Sequence, residues 1–333
     1  MPPTSLPTHR RVAAVLVLIP VMVALALWAF AWPAARTAPR DLPLGVAGPP
    51  AATAPVAQQL ERREGAFDLH RYADEAEARD AIEDREVYGA VVVTPQGPKL
   101  LTASAASPAV AQLLQQAVTQ QAEASGQEFT AEDVVPAPAS DPRGAVLNTS
   151  VLPLALAGIG AGVAVTLLGL RGLTAALALA GSATLVGVVA AALAHSWLDA
   201  LPGDPWTVAG TFALATLAVS GAVAGLAALF GRPGLGLGAL LMMLIGNPFS
   251  GAASAPEMLP EPAGAIGQWL PPGAGVSLLR SVSYFDGAAA TGPALTLTWW
   301  AVLGLGAVLV GHAVRGRKAP APTTPEREPA MAG

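Results

Sequence analysis

One apolar run near the start, a polar stretch of over a hundred residues, then apolar runs almost to the end divide this chain of 333 residues. A helix crosses the hydrocarbon of a bilayer with about 20 consecutive apolar residues. Six segments meet or approach that length: 12–32, 148–170, 173–195, 206–230, 235–253 and 294–314. The fifth is the weakest, because Gly246-Asn247-Pro248 interrupts it. The first follows His9-Arg10-Arg11, as a signal peptide would, but its apolar stretch is longer than the usual 7–15 residues and Pro33 comes at once. It therefore reads as an uncleaved anchor. The pattern predicts an α-helical integral membrane protein with six transmembrane helices and a small α/β extracytoplasmic domain between helices 1 and 2.

The boundaries that follow are a cytoplasmic N-terminus at 1–11, the anchor at 12–32 and the extracytoplasmic domain at 34–147. A five-helix bundle occupies 148–314, with a broken element at 246–292, and a Pro/Ala-rich cytoplasmic tail, 315–333, reads as disordered. Within the domain, 42–47 and 67–72 are short strand candidates, and Gly89-Ala-Val-Val-Val-Thr94 is the clearest strand, closed by Pro95. A further strand at 99–104 returns from the Gln96-Gly97-Pro98 turn. Helical patterns cover 52–64 and 73–86. Ser107-Pro108 supplies a cap and a first-turn proline for a helix over 108–125, where Val110, Leu113, Leu114, Ala117 and Val118 keep the helical period. The predicted order is β-α-β-α-β-β-α-β.

Composition agrees with a membrane protein: only 12% of residues are charged, against about 25% in soluble domains. There is no cysteine, and the four histidines, His9, His70, His195 and His312, share no metal-ligand spacing. No metal site or cofactor is expected, and no catalytic motif points to an enzyme. The domain holds 16 Asp/Glu against 9 Lys/Arg, a net of −7, which disfavours nucleic acid as a partner. The basic residues near the spans fall on one side. They are Arg10 and Arg11, Arg171, Arg232, then Arg315, Arg317 and Lys318, whereas the connection 196–205 has two Asp and no Lys or Arg. By the positive-inside rule both termini are cytoplasmic.

No Asp or Glu lies inside any of the six spans, so the carboxylate relay of a proton-coupled transporter is missing. His195 stands four residues before Asp199, close enough to pair with it at the membrane surface. Gly158/Gly162, Gly221/Gly225 and Gly234/Gly238 are spaced for close helix packing. The segment 246–292 is Pro- and Gly-rich and broken every few residues. Irregular backbone at membrane depth needs cover from protein or water, so it reads as an element that dips in and returns, followed by an amphipathic stretch around 275–285 lying at the interface. Its candidate exit or re-entrant residues are Asn247, Pro248, Gly251, Glu257, Glu261, Arg280 and Asp286, with Arg280 and Asp286 placed to pair.

The runs Asn247-Pro248-Phe249-Ser250-Gly251, Pro256-Glu257-Met258-Leu259-Pro260, Leu270-Pro271-Pro272-Gly273, Leu279-Arg280 and Tyr284-Phe285-Asp286-Gly287 resemble the end of a type-2 ABC exporter permease. The layout, with a domain after the first span and the strand Tyr88–Val93, is similar to that family and also to the phage-infection-protein (YhgE/Pip) group. The resemblance implies a homodimeric permease in a bacterial plasma membrane, bathed by the lipid bilayer and driven by a nucleotide-binding ATPase subunit in trans. This chain itself has no G-x-x-x-x-G-K-[ST]. The sequence departs from the family in its cytoplasmic connections, Leu170–Leu173 and Phe230–Gly234, which leave little surface for an ATPase. With no charged site in the spans, the expected substrate is amphipathic or hydrophobic. The alternative is a non-transporting membrane scaffold or surface receptor acting through its domain.

Overall fold

The structure is a computed structural model that describes residues 8–95, 97–126 and 129–316. The expected tail beyond 316 and the first seven residues of the expected N-terminus lie outside it. Helix α1 (Thr8–Ala35) leads into the sheet domain. There the order is β1 (Leu42–Ala47), α2 (Pro50–Glu61), β2 (Phe67–Tyr72), α3 (Glu75–Glu83), β3 (Gly89–Thr94), β4 (Gly97–Thr102), α4 (Pro108–Ser125) and β5 (Thr130–Asp133). The strands lie in the order β2-β1-β3-β4-β5. All neighbours run parallel except the β3/β4 hairpin.

Local chemistry accounts for these elements. Asp74 caps α3 by accepting from Glu77 N, and Ser107 caps α4 by accepting from Val110 N at 3.3 Å. Gly126, at φ +66°, ends α4 in the left-handed conformation that glycine adopts without strain. Alternation along the strands sends side chains to two faces. Ala47, Ala90, Val92 and Leu101 meet Ala78, Ala81 and Ile82 of α3 on one face. Leu42, Leu44 and Leu100 meet Val110 and Leu114 of α4 on the other.

Asp141 accepts from Ala145 N and Val146 N, at 2.7 and 2.8 Å, and so starts α5 (Ala145–Leu167). Helix α6 (Gly172–Ala191) continues as a wider π-helical turn to Trp197. It is followed by α7 (Pro205–Phe230) and by α8 (Arg232–Leu240), which also widens into a π-helical turn ending at Gly246. A single turn at Pro256–Met258, α9 (Ala263–Gln268) and α10 (Pro271–Tyr284) lead to α11 (Thr291–Gly316).

Among the described residues five helices are long and apolar enough to cross a membrane: α1, α5, α6 with its extension, α7 and α11. The segment expected as a sixth, 235–253, is instead the shorter apolar helix Arg232–Gly246. Asn247-Pro248 ends it, since proline cannot extend the hydrogen-bond ladder. Helix α7 is the hub of the bundle. The expected small pairs all lie on its contacts. A Cβ on Gly158 would sit 2.7 Å from Val219, one on Gly225 2.8 Å from the Gly304 carbonyl, and one on Gly238 3.0 Å from the Val223 Cα. Helix α1 touches the rest near its C-terminal end, where Trp32 meets the Phe249 ring edge-on at 6.1 Å.

The stretch expected to lie on the membrane interface around 275–285 does not. Helix α10 is buried along nearly its whole length, from Pro271 to Val276 and again from Leu278 to Ser281. Its small residues let neighbouring helices approach closely: a Cβ on Gly273 would lie 2.2 Å from the Gly267 carbonyl oxygen of α9, and one on Gly275 3.2 Å from the Ala215 Cβ of α7.

Candidate functional site

The broken element completes the core of the sheet domain. Phe285, 6% exposed, packs from the end of α10 among Ala47, Ile82, Val87, Ala90 and Leu101. Ala255 and Met258 pack on the opposite face, among Leu42, Leu44, Leu100 and Val110. The backbone joins in. Ala38 N donates to the Met258 carbonyl at 3.0 Å, and Arg40 N to that of Glu257 at 2.9 Å.

Between these two contacts lies a polar cleft of about 230 Å³. Arg85, Tyr88 and the exposed Glu86 line it from the domain, and Glu257, Gln268, Ser277 and Arg280 from the broken element. Arg85 Nη1 donates to the Ser277 carbonyl at 3.0 Å and to Ser281 Oγ, and its guanidinium lies 5.3 Å from the centre of the Phe285 ring. Tyr88 donates its hydroxyl to Glu257 Oε2 at 2.8 Å. Arg280, 4% exposed, uses Nη2 for the carbonyls of Ala252 at 2.7 Å and Ser254 at 3.4 Å. Ser277 donates to Gln268 Oε1 at 2.6 Å, and Gln268 Nε2 donates to the Ser250 carbonyl at 3.1 Å. Thus each broken turn is pinned by a side chain from α9 or α10.

Burial governs the electrostatics. It pushes the Tyr88 phenol well above its ordinary value, with the Glu257 charge adding to the effect, so Tyr88 remains a donor. Burial also lowers the Arg85 pKa, offset in part by Tyr88 and Glu257. Arg85 holds φ at +62°, in the left-handed region, immediately after α3 and its cap Asp84. Glycine is the usual residue there. A long cation in that conformation costs about 1–2 kcal/mol of backbone strain, which its contacts must offset.

Of the seven residues singled out from sequence, Glu257 and Arg280 line the cleft. Asn247, Pro248 and Gly251 shape the turn before it; Gly251 has φ +69°, and a Cβ there would lie 2.8 Å from Pro256 N. Glu261 and Asp286 are exposed. The expected Arg280–Asp286 pair is not formed, because Arg280 is turned to the carbonyls of the 252–254 turn. His195 does not pair with Asp199 either; its Nδ1 lies 2.8 Å from the Leu201 carbonyl. Arg85, Tyr88, Gln268 and Ser277 carry polar contacts that local patterning did not single out. A signal for Arg85 was present, an arginine at the end of Asp80–Asp84 where a helix stop calls for glycine. Among the described residues no group of three or more His, Asp or Glu is arranged to hold a metal.

Five apolar spans, with a sheet domain seated on the ends of the bundle, define a multi-pass membrane protein. Residues 10–145 match the family model described as ABC-2 family transporter protein, which supports an ABC-2 type permease and, in general terms, a function in transport. The match runs through α1 and the whole sheet domain to the first residue of α5. No curated protein and no solved structure matches the chain.

Proposed function

We propose that this protein is the membrane permease subunit of an ABC-type exporter in a bacterial plasma membrane, with the shorter apolar helix Arg232–Gly246 and the turn after it making a sixth crossing, both termini cytoplasmic and the sheet domain outside. It works as a homodimer on an amphipathic or hydrophobic substrate, and a separate ATPase subunit supplies the energy. The observation that carries the substrate class is a groove of about 540 Å³ between α5 and α6, floored by Phe212 of α7. Its walls are Leu154, Ala157, Leu185, Val189 and Leu193, and no charged residue lines it. The hydroxyls on its lining are already spent: Thr149 donates to the Ala145 carbonyl at 2.7 Å and Ser150 to that of Val146 at 2.5 Å. An acyl chain or similar tail fits such a wall; an ion or a sugar does not.

The energy must come from another subunit, since the chain has no phosphate-binding loop and no carboxylate within its spans. The test is recovery of the tagged protein in mild detergent, followed by transport of a fluorescent lipid in proteoliposomes. Co-recovery of an ATPase, ATP-dependent transport, and loss of transport when Ala157→Trp fills the groove support the reading. A non-transporting scaffold is favoured by one observation, that Gly231 is all that separates α7 from α8 at the proposed cytoplasmic face. Recovery of a cell-envelope partner with no ATPase and no transport would decide for the scaffold.

A further inference from the structure

The groove explains a tail; it leaves the polar cleft between α10 and the sheet domain without a role. Its volume of about 230 Å³ is more than tenfold the roughly 10–15 Å³ that a single water needs. Two guanidinium groups line it, Arg85 and Arg280, one from each side. An arginine carries five N–H donors in a planar fork. Arg85 commits Nη1 to Ser277 and Ser281, and Arg280 commits Nη2 to Ala252 and Ser254. That leaves Nε and one terminal nitrogen on each without a protein acceptor among the described residues.

The charges do not balance inside the cleft. Glu257 faces both arginines, but one of its oxygens is taken by Tyr88. Glu86 is exposed at the rim, and its carboxylate acts on Tyr72, outside the cleft. Away from the rim, where Glu86 stands exposed, two cations face the single carboxylate of Glu257, and with Arg280 only 4% exposed they repel one another. Arginine forks match planar or tetrahedral oxyanions by paired hydrogen bonds. Two forks converging from opposite walls suit a group with at least three acceptor oxygens better than a carboxylate with two.

We propose that the Arg85–Arg280 cleft is a binding site for one phosphate-class oxyanion, either free phosphate or the phosphomonoester head of a lipid. Tyr88 and Gln268 complete its polar wall, and Glu257 sets its affinity by opposing the anion. The site joins the domain to α10, so an occupant strengthens that joint. This inference needs the cleft alone and stands or falls independently of what the groove carries.

The experiment is calorimetric titration of the purified full chain in neutral detergent and phosphate-free buffer, with inorganic phosphate in one arm and short-chain phosphatidic acid in the other. Saturable binding is expected, weakened at least tenfold by Arg85→Gln and tightened at least threefold by Glu257→Gln. The second variant guards against misfolding, since a damaged protein would not bind more tightly. Binding in the phosphate arm, with this pattern, identifies the free anion as sufficient; binding in the lipid arm alone, with the same pattern, identifies the lipid head. Absence of binding in both arms, or binding indifferent to both substitutions, overturns the proposal.

Discussion

Replacing Phe285 by alanine tests whether the sheet domain is finished by a residue about 200 positions beyond α3, the helix with which it shares a core. The ring is 6% exposed and packs on Ile82, Val87 and Ala90, with the Arg85 guanidinium 5.3 Å from its centre. Truncating a buried phenylalanine costs about 3–5 kcal/mol. The cation–π contact adds about 0.5–2 kcal/mol where it is desolvated. Hydrogen exchange resolves where such a loss falls. The amides of Ala81, Ile82, Ala90 and Val92 should exchange about a hundredfold to several thousandfold faster in the intact chain, at about 1.4 kcal/mol per factor of ten. A parallel Arg85→Met variant should account for part of the same loss, because residues in contact do not contribute additively. Unchanged exchange in α3 and β3, with faster exchange confined to α10, would refute the shared core.

Tyr88→Phe removes the donor to Glu257, a hydrogen bond to a charged group worth about 1.5–3 kcal/mol, and should lower the melting temperature in detergent without changing the elution volume. Gly267→Ala should abolish recovery of monodisperse protein, because the added Cβ would lie 1.6 Å from the Phe249 carbonyl oxygen; normal recovery would show that this turn can move. Glu132 bonds Lys99 and Arg79, each at 2.8 Å, and these hydrogen bonds, with a smaller contribution from the two charges, hold its pKa below the ordinary 4.5. Its contribution, under about 1 kcal/mol for so exposed a group, is whole above that ordinary value and lost as pH falls through the lowered one. Acid melting curves of wild type and Glu132→Gln should therefore converge at low pH. Because the chain has no cysteine, single cysteines report topology cleanly. Arg232→Cys should resist an impermeant maleimide in whole cells while Ser196→Cys, exposed on the 196–205 connection, reacts, and the reverse would invert the proposed orientation.

The elements that sequence disclosed are those whose causes lie within a few residues. Helix α4 runs over 108–125 as expected, because Ser107, Pro108 and Gly126 mark its ends chemically. Strand β3 spans Gly89–Thr94 because the β-branched run and Pro95 bound it. Helix α10 was misjudged for the opposite reason. Its sequence, PPGAGVSLLRSVSY, looks amphipathic, and its polar residues suggest water. In the folded chain Arg280, Ser277 and Ser281 instead face carbonyls, Gln268 and Arg85, partners supplied by segments that no local period identifies. The cleft was half legible: Glu257 and Arg280 stood out as charges in an apolar setting, whereas Arg85 and Tyr88 sat inside an ordinary charged stretch about 170 residues or more away in the chain.

That separation has a consequence for how the domain forms. Its sheet is complete in sequence by Asp133, yet Ala255, Met258 and Phe285, which close its two faces, follow more than a hundred residues later. At about 5–20 residues per second the ribosome needs roughly 6–30 s to supply them. Until then Leu42, Leu44 and Leu100 lack part of their cover on one face, and Ile82 and Ala90 on the other. Contacts so distant in sequence carry a loop-closure cost that is met before they contribute stability. The helices from α5 to α8 must insert between the two events, and their placement sets where the broken element can dock. The core of the sheet domain is therefore assembled jointly by the start and the end of the chain. The 252–258 turn, which follows α8 and Asn247, packs directly on that core through Ala255 and Met258.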